Sequence, residues 1–254
     1  MNDATGADEL RRLEVGAAVI LYDASWAGNL LPAWFDHGYW EQRAAVRGRA
    51  GGRGTTWFVA AGDRQLALRH YRRGGLIAKL STDRYLWLGE ARTRPVREFT
   101  VHRELQRLGL PVPAVVGVRY EREGRTYHGD ILTERLLDVQ PLAARLAAES
   151  LGVSDWIELG RVLRRFHDAG LDHADLNAHN ILWRGVAEVF LIDFDRARLQ
   201  ARRGLWCDAN LVRLRRSLLK VTRGLPADRF SETDWHSLLA GYWSAGAARG
   251  AATG

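Results

Sequence analysis

Residues 173–195 read HADLNAHNILWRGVAEVFLIDFD, and this stretch sets His173, Asp175, Asn177, Asn180, Asp193 and Asp195 at fixed distances along the chain. The local pattern is a turn at HAD, a loop through Asn177, an apolar strand from Ile181 to Trp183, a turn at Gly185, and a second apolar strand from Val189 to Ile192 ending at Asp193. A hairpin of that kind presents Asp175, Asn180 and Asp193 on one side. One carboxylate there can take the proton of an acceptor hydroxyl, while an amide oxygen and a second carboxylate hold Mg²⁺ against the phosphates of ATP. Asp175, Asn180 and Asp193 fit those roles in that order, and His173 shapes the loop between them. Turns collect Asp and Asn for conformational reasons, but turn chemistry alone does not call for this joint spacing with apolar strands between.

The spacing resembles the catalytic and metal motifs of protein kinases. That resemblance implies an α+β, bilobal protein-kinase-like fold with a shared cleft. Residues 1–135 would form an N-terminal, nucleotide-binding lobe of antiparallel sheet plus one helix. Residues 136–254 would form a mainly helical C-terminal lobe carrying the catalytic loop 173–180, the metal motif 193–195 and a basic helix 210–225.

Upstream, Val46 to Thr56 reads VRGRAGGRGTT, with Gly48, Gly51, Gly52 and Gly54 between two strand-like runs. Glycines let a backbone approach phosphate oxygens, so the stretch 48–54 reads either as a phosphate-covering loop or as a plain hairpin turn. In the strand Gln65 to Tyr71, LALR resembles the VAIK strand of protein kinases with Arg69 in place of lysine, a broad fork replacing a compact point charge. A surface arginine is the competing reading. The helical stretch Val96 to Gly109 offers Glu98 and Glu104 as the brace for that cation; Glu98 shares a helix face with Val101 and Leu105 and is preferred. A strand from Ala114 to Tyr120 follows. Tyr127 to Leu136 reads as a strand running into a hinge whose main chain, near Glu134, would meet adenine.

Helices are expected at Gln140 to Glu149 and Ser154 to Ala169, with His167 packing rather than reacting. After Asp193 a new helix begins near Asp208, which leaves no room for a long activation segment and favours a small or sugar-like acceptor. Asn210 to Leu225 separates an apolar row, Leu211, Leu214, Leu218 and Val221, from a basic one, Arg213, Arg216, Lys220 and Arg223. The basic row is either a solvated face or a contact for an anionic acceptor or membrane, as are Arg72 and Arg73 in YRRGG.

The 254 residues carry 37 Lys and Arg against 30 Asp and Glu, a formal charge of +7 that favours anionic partners. The single cysteine, Cys207, excludes an internal disulfide and a cysteine-rich metal site, in keeping with a reducing compartment. The start, MNDATGADELRRLE, lacks the apolar core of an export signal, and stretches such as Val15 to Tyr22 are far short of the ~18–20 residues that cross a bilayer. Membrane contact is therefore expected to be peripheral. The arginines are not interleaved with aromatics in a nucleic-acid motif, so no nucleic-acid partner is expected. The oligomeric state is not legible.

Taken together, HADLNAHNIL, LIDFD, LRHYRRGG, GLPVP and NLVRLRRSLLK resemble the Kdo/WaaP group of lipopolysaccharide core kinases, with the likeness running from Gly48 to Lys220. The resemblance implies transfer of the γ-phosphoryl group of ATP, with Mg²⁺, to the 4-hydroxyl of 3-deoxy-D-manno-octulosonic acid (Kdo) on a lipid A precursor. It places that reaction at the cytoplasmic face of a Gram-negative inner membrane. Arg72, Arg73, Asn177, Arg213 and Arg216 become candidate acceptor contacts. The rival readings are a kinase of the same fold acting on a heptose, an aminoglycoside or a protein, and a catalytically silent kinase-like or nucleic-acid-binding protein.

Overall fold

The computed structural model describes residues 10–26, 28, 30–51, 55–72, 83–185 and 188–250, with side chains as far as Ser244. The chain divides into two compact units, Met1–Arg107 with Pro113–Arg135, and Leu108–Val112 with Leu136–Gly254.

The first unit is an antiparallel sheet with helices on both faces. Its elements are β1 (Leu10–Val15), β2 (Ala18–Asp23), α1 (His37–Gln42), β3 (Val46–Ala50), β4 (Thr56–Ala61), β5 (Arg64–His70), β6 (Tyr85–Leu86), α2 (Arg94–Arg107), β7 (Val115–Glu123) and β8 (Thr126–Glu134). The strand order is β1-β2-β7-β8-β5-β4-β3, with β6 also pairing β8. Alternation along the strands sends neighbouring residues to opposite faces. Ile20, Val116 and Leu132 pack with Trp26, Trp34, Phe35 and Trp40 on one face. Leu21, Val115 and Ile131 pack with Val96 and Phe99 of α2 on the other. The N-terminal aromatics are thus the cover of one sheet face. The β1–β2 hairpin before them was not expected, because β1 is an edge strand with five of its six residues exposed and carries no alternation to read.

Helix α2 begins at Arg94, two residues before the expected start, and its first turn lies close on the sheet. A Cβ at Gly129 of β8 would stand 2.6 Å from both Arg119 O and Pro95 Cγ, so only a bare backbone admits the helix there.

The second unit contains β9 (Val139–Pro141), α3 (Leu142–Ala148), α4 (Val153–Asp168), β10 (Leu171–Asp172), β11 (Ile181–Arg184), β12 (Glu188–Leu191), β13 (Arg198–Leu199), α5 (Leu205–Val221) and α6 (Glu232–Gly250). β9, β11 and β12 form one antiparallel sheet, and β10 pairs β13. The helix expected from Gln140 starts only at Leu142, after a short strand that ends at Pro141. The basic helix expected at 210–225 runs instead from Leu205 to Val221. Cys207 is buried in line with Leu211, Leu214 and Leu218, which carries the apolar period one turn further back. Thr222 caps the other end, and Gly224 follows at φ +82°.

His167 packs edge-on against Trp206, and its Nδ1 meets the Tyr242 hydroxyl at 2.7 Å. Helices α4 and α6 cross at two glycines. A Cβ on Gly160 would meet Leu238 O at 2.0 Å, and one on Gly241 would meet Ile157 O at 1.9 Å. Gly160→Ala must therefore push the helices apart, with an expected loss of about 1–3 kcal/mol. Thermal unfolding checks this: the midpoint drops by several degrees, and an unchanged midpoint would mean the helices are not in backbone contact here.

Candidate active site

The catalytic loop leaves β10 at Asp172 and closes two tight turns, with Leu176 N–H donating to His173 O at 3.0 Å and Asn180 N–H to Asn177 O at 3.1 Å. His173 is fully enclosed, and burial holds its pKa below the ordinary imidazole value, so the ring is neutral at physiological pH. Its tautomer follows from its partners. Nδ1 accepts the Asp175 N–H at 3.3 Å, and Nε2–H donates to Ile192 O at 3.1 Å. One ring thereby ties the residue before Asp193 to the residue carrying the first carboxylate.

Asn180 adds two further ties. Its side-chain Nδ2 donates to Asp175 O at 2.9 Å, and its carbonyl accepts the Ile192 N–H at 3.1 Å. Anchoring the amide nitrogen fixes which way Oδ1 faces. Asp193 stands two residues past β12 in the left-handed region at φ +66°, a conformation that Asp tolerates better than most residues but that still costs on the order of 1 kcal/mol. An amide oxygen and a carboxylate form a hard oxygen donor set of the type Mg²⁺ takes, so Asn180 and Asp193 suit that ion.

Helix α5 carries the loop from outside. Asn210, 2% exposed, accepts the His173 N–H at 2.8 Å and donates to Asp172 Oδ1 at 2.9 Å and Trp206 O at 2.8 Å. Arg213 Nη1 donates to Ala174 O at 2.8 Å, and Ser217 Oγ accepts the Ala178 N–H at 3.1 Å. Asn210 and Ser217 had no role in the sequence reading, although three polar residues at i, i+3 and i+7 mark one helix face.

Several candidate contacts change meaning in this setting. Arg213, expected at the acceptor, holds the Ala174 carbonyl instead. Asn177, also expected there, has its amide engaged by the loop: Nδ2 donates to Asp175 O at 2.8 Å and Oδ1 accepts the His179 N–H at 2.9 Å. Arg216 and Arg72 are exposed. Arg73, Gly52 and Gly54 lie outside the described residues. Gly48 is inside β3 at a register shift rather than in a loop, and Gly51 follows the strand end, so the turn is shorter than the expected 48–54. Glu134 donates its N–H to Ala114 O at 2.7 Å and its carboxylate reaches Arg64 at 3.4 Å, so that N–H is not available to a base.

In the first unit Arg69 is not a surface residue. Its Nη2 donates to Glu98 Oε1 at 2.5 Å and Oε2 at 2.7 Å. Glu98 is 2% exposed and also accepts from the Tyr71 hydroxyl at 2.7 Å. Burial, then the nearby carboxylate, pushes the Tyr71 pKa well above its ordinary value, which keeps it a donor. Glu104, the alternative brace, lies outside and pairs with Arg107 at 2.7 Å.

Residues 37–242 match the model of the lipopolysaccharide kinase (Kdo/WaaP) family. The chain is 43% identical over 234 residues to a 3-deoxy-D-manno-octulosonic acid kinase of Stenotrophomonas maltophilia, covering 91% of this chain and 93% of that protein. It is 48% identical over 194 residues to one of Xylella fastidiosa, covering 76% and 75%. A third, from Xanthomonas campestris pv. campestris, is 42% identical over 240 residues, covering 94% and 95%. The solved structure of WaaP in complex with acyl carrier protein has a similar fold, with a TM-score of 0.54 at 20% identity over 81% of this chain and 82% of that one. On this evidence the chain belongs to the lipopolysaccharide kinase (Kdo/WaaP) family.

Proposed function

We propose that this kinase transfers the γ-phosphoryl group of ATP to the 4-hydroxyl of Kdo on a lipid A precursor, acting peripherally at the cytoplasmic face of the inner membrane. The observation that carries the reading is the frame in which the His173 ring and the Asn180 side chain fasten Asp175 to the strand end preceding Asp193. Three relatives named 3-deoxy-D-manno-octulosonic acid kinase support Kdo as the acceptor.

Asp175 accepts the proton of the sugar hydroxyl as its oxygen bonds to the γ-phosphorus. The bond from that phosphorus to the bridging oxygen breaks, and ADP leaves with the electron pair. Asn180 and Asp193 would hold Mg²⁺, which neutralises charge on the phosphates when bound. Arg69, braced by Glu98, steadies the phosphates from the first unit. His173 stays neutral and keeps the loop in register without exchanging a proton with the acceptor. Incubation with Mg-ATP and Kdo-bearing lipid A precursor, beside a heptose-bearing core as the competing acceptor, tests the reading by mass spectrometry. One added phosphate on Kdo is expected, and phosphate appearing only on the heptose would overturn it.

Asp175→Asn should lower kcat by roughly 10² to 10⁴ while ATP affinity is kept. Wild-type turnover in this variant would remove Asp175 from proton transfer. For Asp193→Asn, calorimetry should find ATP affinity that no longer responds to Mg²⁺; a full magnesium response would take Asp193 out of the metal site. Arg69→Lys retains a cation beside Glu98 but loses the fork, so the melting midpoint should hold while KM for ATP rises about tenfold. Arg69→Met strands a buried carboxylate and should instead cost about 3–5 kcal/mol of stability. Identical behaviour of the two variants would show that the pair serves the fold alone.

A further inference from the structure

Helix α5 has three faces. Cys207, Leu211, Leu214 and Leu218 are buried in the unit's core, and Asn210, Arg213 and Ser217 hold the catalytic loop. The third face is bare and apolar along its length: Leu205 is 87% exposed, Val212 57% and Leu219 50%. Spaced seven apart, these three follow one line down the helix. Arg216 stands between Val212 and Leu219, and Lys220 and, just past the helix end, Arg223 follow, all exposed and none in an ion pair among the described residues, against a single exposed acid of the helix, Asp208. A solvated helix face has no reason to expose three large aliphatic side chains in line.

We infer that this face of α5 docks on an anionic lipid bilayer, which deepens the proposed function by naming the surface that meets the acceptor's membrane and rests on that reading. Charge chooses the occupant. A helix lying in the headgroup plane buries aliphatic side chains while its cations meet lipid phosphates. A second copy of the chain, joined by a two-fold axis, would set these cations against their own counterparts. Beside the start of the helix, Trp243 is 53% exposed and its ring is 5.9 Å from the Arg203 guanidinium, an aromatic anchor of the type found at membrane interfaces. No helix among the described residues is long and apolar enough to cross a membrane, so the contact is lateral.

The geometry also links docking to chemistry. The loop-holding face lies about a third of a turn from the bare one, so the helix that meets the bilayer is also the one that holds the His173–Asn180 loop.

Flotation of the full chain with vesicles tests the inference without ATP or acceptor, so its outcome is independent of whether Kdo is phosphorylated. Vesicles of phosphatidylethanolamine with phosphatidylglycerol should carry the protein up, and vesicles of phosphatidylcholine alone should not. Each basic residue at an anionic surface contributes about fivefold in affinity, so Lys220→Gln/Arg223→Gln should bind about 25-fold more weakly. Leu205→Ser/Val212→Ser/Leu219→Ser should lose binding as well, with melting midpoints confirming that both variants fold. Unchanged flotation of the variants would overturn the inference, as would a parent protein that ignores anionic vesicles. A concentration-dependent dimer abolished by the same substitutions would overturn it in favour of a second copy.

Discussion

A single neutral imidazole holds the site in register. His173 accepts from the Asp175 N–H and donates to the Ile192 carbonyl, so Asp175 and the segment leading to Asp193 are positioned through one ring. The arrangement requires one ring nitrogen to be bare and the other protonated, which burial secures by disfavouring the charged form. A protonated ring would set a donor against the Asp175 N–H. The Phe194 ring, itself fully buried, lies against the imidazole in a tilted contact at 5.4 Å between ring centroids. The loop, the strand end and α5 therefore have one common fixed point, to which Asn210 adds its bond at the His173 N–H.

The first unit poses a related problem with opposite charge. Glu98 is a carboxylate removed from water, tolerable because Arg69 and Tyr71 both donate to it. Its position depends on α2 settling onto the sheet at Gly129, so a residue without a side chain determines where a charged one can reach. Replacing the lysine of protein kinases by arginine suits this setting, because a guanidinium has donors beyond the nitrogen that contacts Glu98.

Much of this was legible in the sequence because the chemistry is local. Asp175, Asn180 and Asp193 lie within one hairpin, and the preference for Glu98 over Glu104 followed from helix periodicity alone. The misses have specific physical causes. Leu205 to Asp208 lay outside the expected helix because two arginines and a glycine precede it, yet the apolar period already runs through Cys207. Arg213 is a polar group of the right type in the right region, and only a hydrogen-bond partner 39 residues away reveals that it holds the loop backbone, whereas Asn177 bonds to Asp175 and His179, two residues to either side. The edge strand β1 has no buried face to leave a pattern, and the bare line on α5 was hidden because Leu205 falls before the expected start of the helix.

After Asp193 the chain does not wander. It pairs β13 with β10, Leu171 opposite Leu199 and Asp172 opposite Arg198, before entering α5 at Leu205. The segment that many phosphotransferases use as a movable gate is here stitched to the strand that launches the catalytic loop. A displacement anywhere in that segment would be passed straight to the strand from which the His173 loop departs.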